Sequence, residues 1–192
     1  MRTYVAKPYI ASSPQAELMG ITGQALFKNL HAEDMIELKE TYGFEEFIGD
    51  QWYSQQMALD FLKDLTIPDK FSTTQNLVAL GMSAAALSSQ LFSAALMNSI
   101  ETFLEVLPSL YSLLQRNVPD EEGYWPKKIS EGHWIVTNNT PYPGELVFGL
   151  HWAWMNSLRK PHDIFAVRPI SPDEDGLYQL EIKWGDTPEA VR

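Results

Sequence analysis

The segment around Ser83 comes closest to a catalytic motif. Gly81 precedes Ser83 by two residues, as a glycine does in the nucleophile elbow of hydrolases, which is a sharp turn between a strand and a helix. That elbow also needs a glycine two residues after the serine, and Ala85 stands there amid helical sequence. We therefore interpret the small side chains of residues 81–89 as a surface for close helix packing or as room for a ligand.

The histidines could bind a metal ion or contact a ligand. None of the four, which are His31, His133, His151 and His162, forms a His-x-His or His-Glu-x-x-His pair, so the fold would have to assemble any metal site. His151 is the most informative, because it lies in a helix predicted to be enclosed, where an imidazole needs a partner. Two interpretations of His151 stay open: a core histidine with satisfied hydrogen bonds, or a ligand contact.

The acidic segments point to turns and surfaces. Residues 173–176 resemble the start of a calcium loop, but the following residues supply no ligand series and the flanks resemble strands, so we predict a turn. Residues 33–40 and 119–122 are predicted to be solvated faces and turns.

Composition excludes several classes of function. The chain has 192 residues, 45% of them apolar, which predicts one domain over residues 1–192. It has no cysteine, which excludes disulfides, thiolate zinc sites and thiol nucleophiles. The net charge of −11 would repel nucleic acids and anionic lipids. No secretory signal and no window of roughly 18 uncharged apolar residues is found, so we expect a cytoplasmic protein without membrane insertion.

The composition and the residue pattern of the sequence change near Asn117. Helix-forming, Ala/Ser/Leu-rich sequence precedes it, and short β-like stretches with five of the six tryptophans follow it. This predicts a helical half (20–117) and a sheet-bearing half (118–185) with a common core. The expected fold is α+β, with an N-terminal helical bundle packed on a four-stranded antiparallel sheet in strand-strand-helix-strand-strand order.

Local sequence patterns predict where the helices and strands lie. We predict helices near Thr22, from Ala32 to Gly43 and after an Asp50 cap, and an almost continuous helix over residues 72–117 that Pro108 kinks or interrupts. The predicted strands are residues 124–129, 133–138, 164–170 and 177–184.

The predicted helix over residues 145–158 is apolar on nearly all sides. A helix of that kind is covered on two sides, so we place it between the sheet and the N-terminal helices. A pocket at this junction would be lined by Asn98 and Phe103 from the long helix and by His151 and Trp154 from the later one.

The order of elements and the phrases at residues 21–27, 96–104 and 144–150 resemble the heme nitric-oxide/oxygen-binding superfamily. They are also similar to its relatives, the 4-vinyl-reductase-type small-ligand domains and a myxobacterial family of unknown function. The likeness spans roughly residues 20–184. It implies a site for a small ligand between the helical and sheet-bearing halves.

The chain departs from the superfamily at the cofactor motifs. The resemblance implies a proximal histidine on a helix before the sheet half, and residues 92–108 contain none. It also implies a Tyr-x-Ser-x-Arg motif, where this chain has Val136, Asn138 and Thr140. The vinyl-reductase-type domains often carry metal-binding cysteines, which are absent. Heme and zinc are therefore both disfavoured.

We expect a non-catalytic small-ligand-binding or sensory domain without heme, with a small apolar molecule as ligand. The alternative is a protein–protein interaction or dimerisation module with a filled core, working as a homodimer or with a signalling partner. An enzyme is the third hypothesis, because the sequence shows no acid/base pair and no activated nucleophile.

Overall fold

A computed structural model describes residues 2–28, 30–43, 45–67 and 76–192. The elements in chain order are β1 (Glu17–Met19), α1 (Gly20–Phe27), α2 (Ala32–Tyr42), β2 (Trp52–Ser54), α3 (Gln55–Asp64), α4 (Leu77–Ser88), α5 (Ile100–Leu114), β3 (Gln115–Arg116), β4 (Gly123–Ser130), β5 (His133–Asn139), α6 (Gly144–Leu158), β6 (Ile164–Ile170) and β7 (Tyr178–Gly185).

The larger sheet is four-stranded and antiparallel, in the order β4-β5-β7-β6. α6 connects β5 to β6, so the chain order is strand, strand, helix, strand, strand. The β4–β5 turn holds Gly132 at φ 67°, a conformation that favours glycine. The predicted α+β class and the order of its elements are confirmed.

A second, three-stranded sheet has the order β2-β1-β3 and is not predicted from the sequence. Leu18 of β1 pairs with Tyr53 on one side and with Gln115 on the other. Strands of two or three residues are too short to show alternation. Their pairing also moves the start of α3, where the Ser54 hydroxyl accepts a hydrogen bond from the Met57 amide, so the predicted Asp50 cap is wrong.

The long predicted helix is divided. Residues 72–75 lie outside the described part, and α4 begins after Asn76, whose side chain accepts from the Val78 and Ala79 amides. A short 3₁₀ turn (Ser89–Leu91) and irregular backbone follow α4. Ser99 then caps α5, which runs through Pro108 to Leu114 without interruption. The side chains that accept hydrogen bonds from nearby backbone amides favour these helix starts. The apolar periodicity of the sequence alone does not predict them.

The buried side chains form two clusters. The larger joins α5 and α6 to all four strands of the larger sheet, and the smaller lies among β1, α1, α2 and α3. α6 contributes to both, with Val147 in the larger cluster and Leu146 in the smaller. α6 also contacts α4 on one side and β6 on the other. The predicted position of this helix, between the sheet and the N-terminal helices, is confirmed.

Candidate ligand cavity

A cavity of about 80 Å³ lies where the two clusters meet. Its wall is mostly apolar, formed by Leu18, Gly23, Ala25, Leu26, Ala58, Leu62, Leu80, Ala84, Phe92, Leu107, Leu110, Leu114, Leu146 and Leu150. The remaining wall residues carry a polar group in their side chains and are Thr22, Ser88, Tyr111, Gln115, Tyr124, Tyr142 and Trp154. An apolar cavity of roughly 150 Å³ holds benzene, so this one suits a molecule of fewer atoms.

Two helices position much of the wall. α4 and α6 cross in direct contact at Gly81 and Gly149, where neither helix has a side chain. Leu80 and Ala84 flank Gly81, while Leu146 and Leu150 flank Gly149, and all four face the cavity. Of the two interpretations of the small residues of α4, close helix packing holds at Gly81, while Ala84 and Ser88 line the cavity. Ser83 lies inside a helix instead of at a strand-to-helix turn.

Three of the four predicted pocket residues lie together. The Trp154 ring is 5.0 Å from the Phe103 ring and 5.5 Å from the His151 ring, measured between centroids. Trp154 is part of the cavity wall. His151 lies behind the wall, with its ring edge-on to Tyr124 at 4.9 Å. Asn98 is not brought to this group, because it lies exposed in the turn before α5.

His151 is completely buried. Its Nδ1 lies 2.9 Å from the carbonyl oxygen of Val147. A carbonyl oxygen can only accept, so Nδ1 carries the proton and Nε2 presents a lone pair. Nε2 has no hydrogen-bond partner among the described residues. Burial lowers the pKa of His151 to about 4, so the ring is neutral at pH 7.

A polar cluster borders the cavity on the side of α3 and α5. Glu122 is only 4% exposed, and its Oε1 accepts from Nε2 of Gln55 at 2.9 Å and from the hydroxyl of Tyr111 at 2.6 Å. The Tyr4 hydroxyl donates to Oε2 at 3.1 Å. The prediction of a solvated turn over residues 119–122 is therefore wrong for Glu122, because three neutral donors replace its water.

The same cluster reaches the wall through Gln115 and Tyr142. Nε2 of Gln115 donates to the Tyr142 hydroxyl at 3.1 Å, and its Oε1 accepts from Gln55 at 3.2 Å. Burial raises the pKa of Tyr111 and of Tyr142, so both phenols stay protonated. These residues could not be predicted from the sequence, because they come from distant segments of the chain. The one local signal was a glutamine, Gln115, placed directly after an apolar helix.

The acidic segment that resembles a calcium loop has a structural role. Asp173 Oδ1 accepts from the amides of Asp175 and Leu177, which confirms the predicted turn. Within the described ranges, no group of three His, Asp or Glu side chains could hold a metal ion. Among the same residues, no helix combines the length and the apolar character needed to span a bilayer.

The heme implied by the resemblance does not fit this cavity. Sites for cofactors of that size are roughly 300–1,000 Å³ in volume, several times the space between the two clusters. Phe103, Leu104 and Leu107 of α5 are fully buried and occupy the region between helices and sheet. None of the wall residues is a histidine.

Comparison with solved structures identifies the fold, whereas comparison by sequence finds no match among family models or curated proteins. A double variant of the Tt H-NOX domain aligns with 91% of this chain and 97% of its own, at a TM-score of 0.61 and 11% identity. An oxygen-binding H-NOX domain related to soluble guanylate cyclases, in its oxygen complex, aligns with 86% of this chain and 90% of its own, at 0.59 and 12%.

A third structure, a Cs H-NOX mutant with 4-cyano-L-phenylalanine, aligns with 86% of this chain and 92% of its own, at a TM-score of 0.58 and 13% identity. Likeness at such low identity establishes the architecture and not the activity. The predicted resemblance to the heme nitric-oxide/oxygen-binding superfamily is confirmed at the level of the fold.

Proposed function

We propose that this chain is a heme-free, non-catalytic sensor-type domain that binds a small, largely apolar molecule in the cavity between its two clusters. The observation that carries this proposal is the cavity itself, which has a wall of leucine, alanine and phenylalanine with a few polar side chains. Small-molecule sites have this composition, with the apolar wall giving affinity and the polar groups fixing orientation.

The polar groups of the wall support binding better than catalysis. Tyr111 and Tyr142 keep their protons because burial raises the pKa of each phenol. Trp154 contributes an indole N–H that does not titrate. Neutral groups of this kind orient a ligand, whereas proton transfer requires a pKa near the working pH.

The position of the cavity supports a sensory role. Its wall combines β1, α1 and α3 of the smaller cluster with α5 and α6 of the larger one. A ligand there contacts both clusters at once. Binding therefore favours whichever relative arrangement of the clusters makes the better contacts, and a partner protein can read that arrangement.

Thermal unfolding with cyclopropane as the probe tests the proposal. A ligand that binds only the folded state raises Tm in a concentration-dependent way. Ala84→Leu places a larger side chain in the wall and abolishes the shift, while Ala86→Leu, on the exposed side of α4, keeps it.

An unchanged Tm in the native protein, together with concentration-dependent dimerisation, would replace the proposal with the interaction module. Native mass spectrometry of protein purified from its own host provides an independent readout. A small molecule retained by the native chain and by Ala86→Leu, but not by Ala84→Leu, supports the cavity.

A further inference from the structure

Residues 2–11, called the strap below, precede β1 and belong to neither sheet. Apart from one isolated bridge, these residues form no helix and no strand of their own. Contacts with distant segments hold the strap instead. The Arg2 guanidinium, for example, forms ion pairs with Asp173 at 2.7 Å and Asp175 at 3.1 Å, in the loop between β6 and β7.

The first part of the strap is held by the larger sheet. The carboxylate of Glu121, two residues before β4, accepts from the amides of Thr3 and Tyr4. Asn139, at the end of β5, is 0% exposed. Its Oδ1 accepts from the Ala6 amide at 2.8 Å, and its Nδ2 donates to the Tyr4 carbonyl at 3.1 Å. Side chains of the sheet thus bind the strap backbone where a neighbouring strand would otherwise do so.

The last part of the strap is held by α3. Gln56 of α3 donates from Nε2 to the Tyr9 carbonyl at 3.1 Å and accepts at Oε1 from the Ala11 amide at 2.8 Å. The Tyr9 ring packs against the smaller cluster, while its amide donates to the Pro141 carbonyl, between β5 and α6, at 2.8 Å. Tyr9 has a φ of 63°, which costs a tyrosine energy and persists because contacts on both sides hold it.

The strap also reaches the polar cluster beside the cavity. The Tyr4 hydroxyl donates to Oε2 of Glu122 at 3.1 Å, and Oε1 of the same carboxylate accepts from the hydroxyl of Tyr111 at 2.6 Å. Tyr111 is a wall residue, as are Ala58 of α3 and Tyr124 of β4. The strap therefore joins α3 to the larger sheet, and the dimensions of the cavity depend on the spacing of these same elements.

We propose, building on the proposed function, that the strap regulates the cavity by holding the two clusters in the arrangement that binds the ligand. Ligand binding and strap docking favour the same arrangement, so release of the strap weakens binding. Coupling between two sites is reciprocal, so a bound ligand also holds the strap more tightly. Any partner that displaces the strap thus lowers the affinity of the domain for its ligand.

Hydrogen exchange of the native chain, with cyclopropane as the probe, measures this coupling. The reporters are the amides of Ala6 and Tyr9, which donate to Asn139 and Pro141. At saturating cyclopropane, exchange of both amides should slow about fivefold or more, the low end of coupling between sites. Exchange rates that stay the same while cyclopropane raises Tm would overturn the inference. This readout does not depend on the folding of a variant.

A variant tests the reverse direction. Glu121→Ala removes the acceptor of the Thr3 and Tyr4 amides and leaves every wall residue in place. We expect faster exchange at Ala6 and about fivefold weaker cyclopropane binding in an NMR titration. Asp120→Ala removes the same charge from an exposed neighbour and should change neither.

The failures are distinguishable. Faster exchange at Ala6 in Glu121→Ala, together with native affinity for cyclopropane, would show that the cavity binds ligands without regulation by the strap. If the native chain does not bind cyclopropane, the proposed function itself fails, and the inference fails with it.

Discussion

Gly81 of α4 and Gly149 of α6 each face the backbone of the opposite helix. A Cβ on Gly81 would lie 2.0 Å from the carbonyl oxygen of Leu146, and a Cβ on Gly149 would lie 2.1 Å from that of Val78. Both separations are far below van der Waals contact, and the atoms met are backbone atoms that no rotamer change can move. This crossing sets the spacing of the two helices that form much of the cavity wall.

Alanine at either glycine should therefore destabilise the fold. We expect Gly81→Ala or Gly149→Ala to cost about 2 kcal/mol or more, although alanine is the better helix former, because the helices must separate. Urea unfolding measures the loss. Gly49→Ala is the control, because its Cβ would meet only a Gln24 side-chain atom at 3.8 Å, and its stability should be nearly unchanged. Equal stability of all three variants would contradict the close crossing.

Stability should fall in acid through His151. Its pKa is about 4 in the folded protein, against the ordinary 6.5 of an exposed histidine, so below pH 6.5 the unfolded chain takes up a proton that the folded chain does not. The contribution is fully present above pH 6.5 and is lost as the pH falls toward 4, by about 3 kcal/mol in total. Urea unfolding from pH 4 to 7 should show this increment in the native chain and not in His151→Gln. Parallel pH profiles for the two proteins would show that His151 does not stay neutral.

Glu122→Gln should disrupt the polar cluster beside the cavity. Oε1 of Glu122 accepts from Gln55 and Tyr111 and its Oε2 accepts from Tyr4, whereas a glutamine keeps an oxygen at only one of these two positions and loses the charge that strengthens these hydrogen bonds. We expect a loss of about 1–3 kcal/mol, the cost of leaving buried donors unpaired. Asp120→Asn, an exposed neighbour, removes the same charge and should leave unfolding almost unchanged. Similar losses for both variants would mean that net charge, and not the cluster, is responsible.

Leu110→Ala should enlarge the cavity. Leu110 is 3% exposed and lies in the wall, so the truncation should cost about 2–5 kcal/mol and admit benzene, which the native cavity is too small to hold. Leu113→Ala on the same helix is the matched control, because Leu113 is 57% exposed. Calorimetric titration with benzene checks the second effect. Benzene binding to the control, or to neither variant, would count against the position of the cavity.

The architecture could be predicted from the sequence because the main helices and strands have long periodic patterns of apolar residues. The apolar α6, the strand pairs around it and the helical first half all follow from burial patterns of seven or more residues. Strands of two or three residues carry no such signal, so the smaller sheet was missed. Nor did helical periodicity reveal the break between α4 and α5, where Ser99 caps the second helix.

Of the four pocket residues predicted from the sequence, only Trp154 lines the cavity, and His151 and Phe103 contact its ring from outside the wall. His151, Trp154 and Phe103 lie on helices whose buried faces follow from the pattern, and the structure brings them together. Gln55 and Glu122 are 67 positions apart, and their 2.9 Å contact depends on the tertiary fold. A polar residue that becomes buried only through distant partners looks like a surface residue in a sequence. The opposite error was made at Asn98, which was predicted to lie on a helix and line the pocket but lies in an exposed turn.

A crystal structure under xenon pressure tests the central claim most directly, because apolar cavities take up xenon. We expect a xenon atom between the two clusters, in contact with Leu110, Leu150 and Trp154, and no such atom in Ala84→Leu crystals. Xenon found solely at the surface of the native protein would contradict the existence of a ligand cavity and, with it, the proposed function.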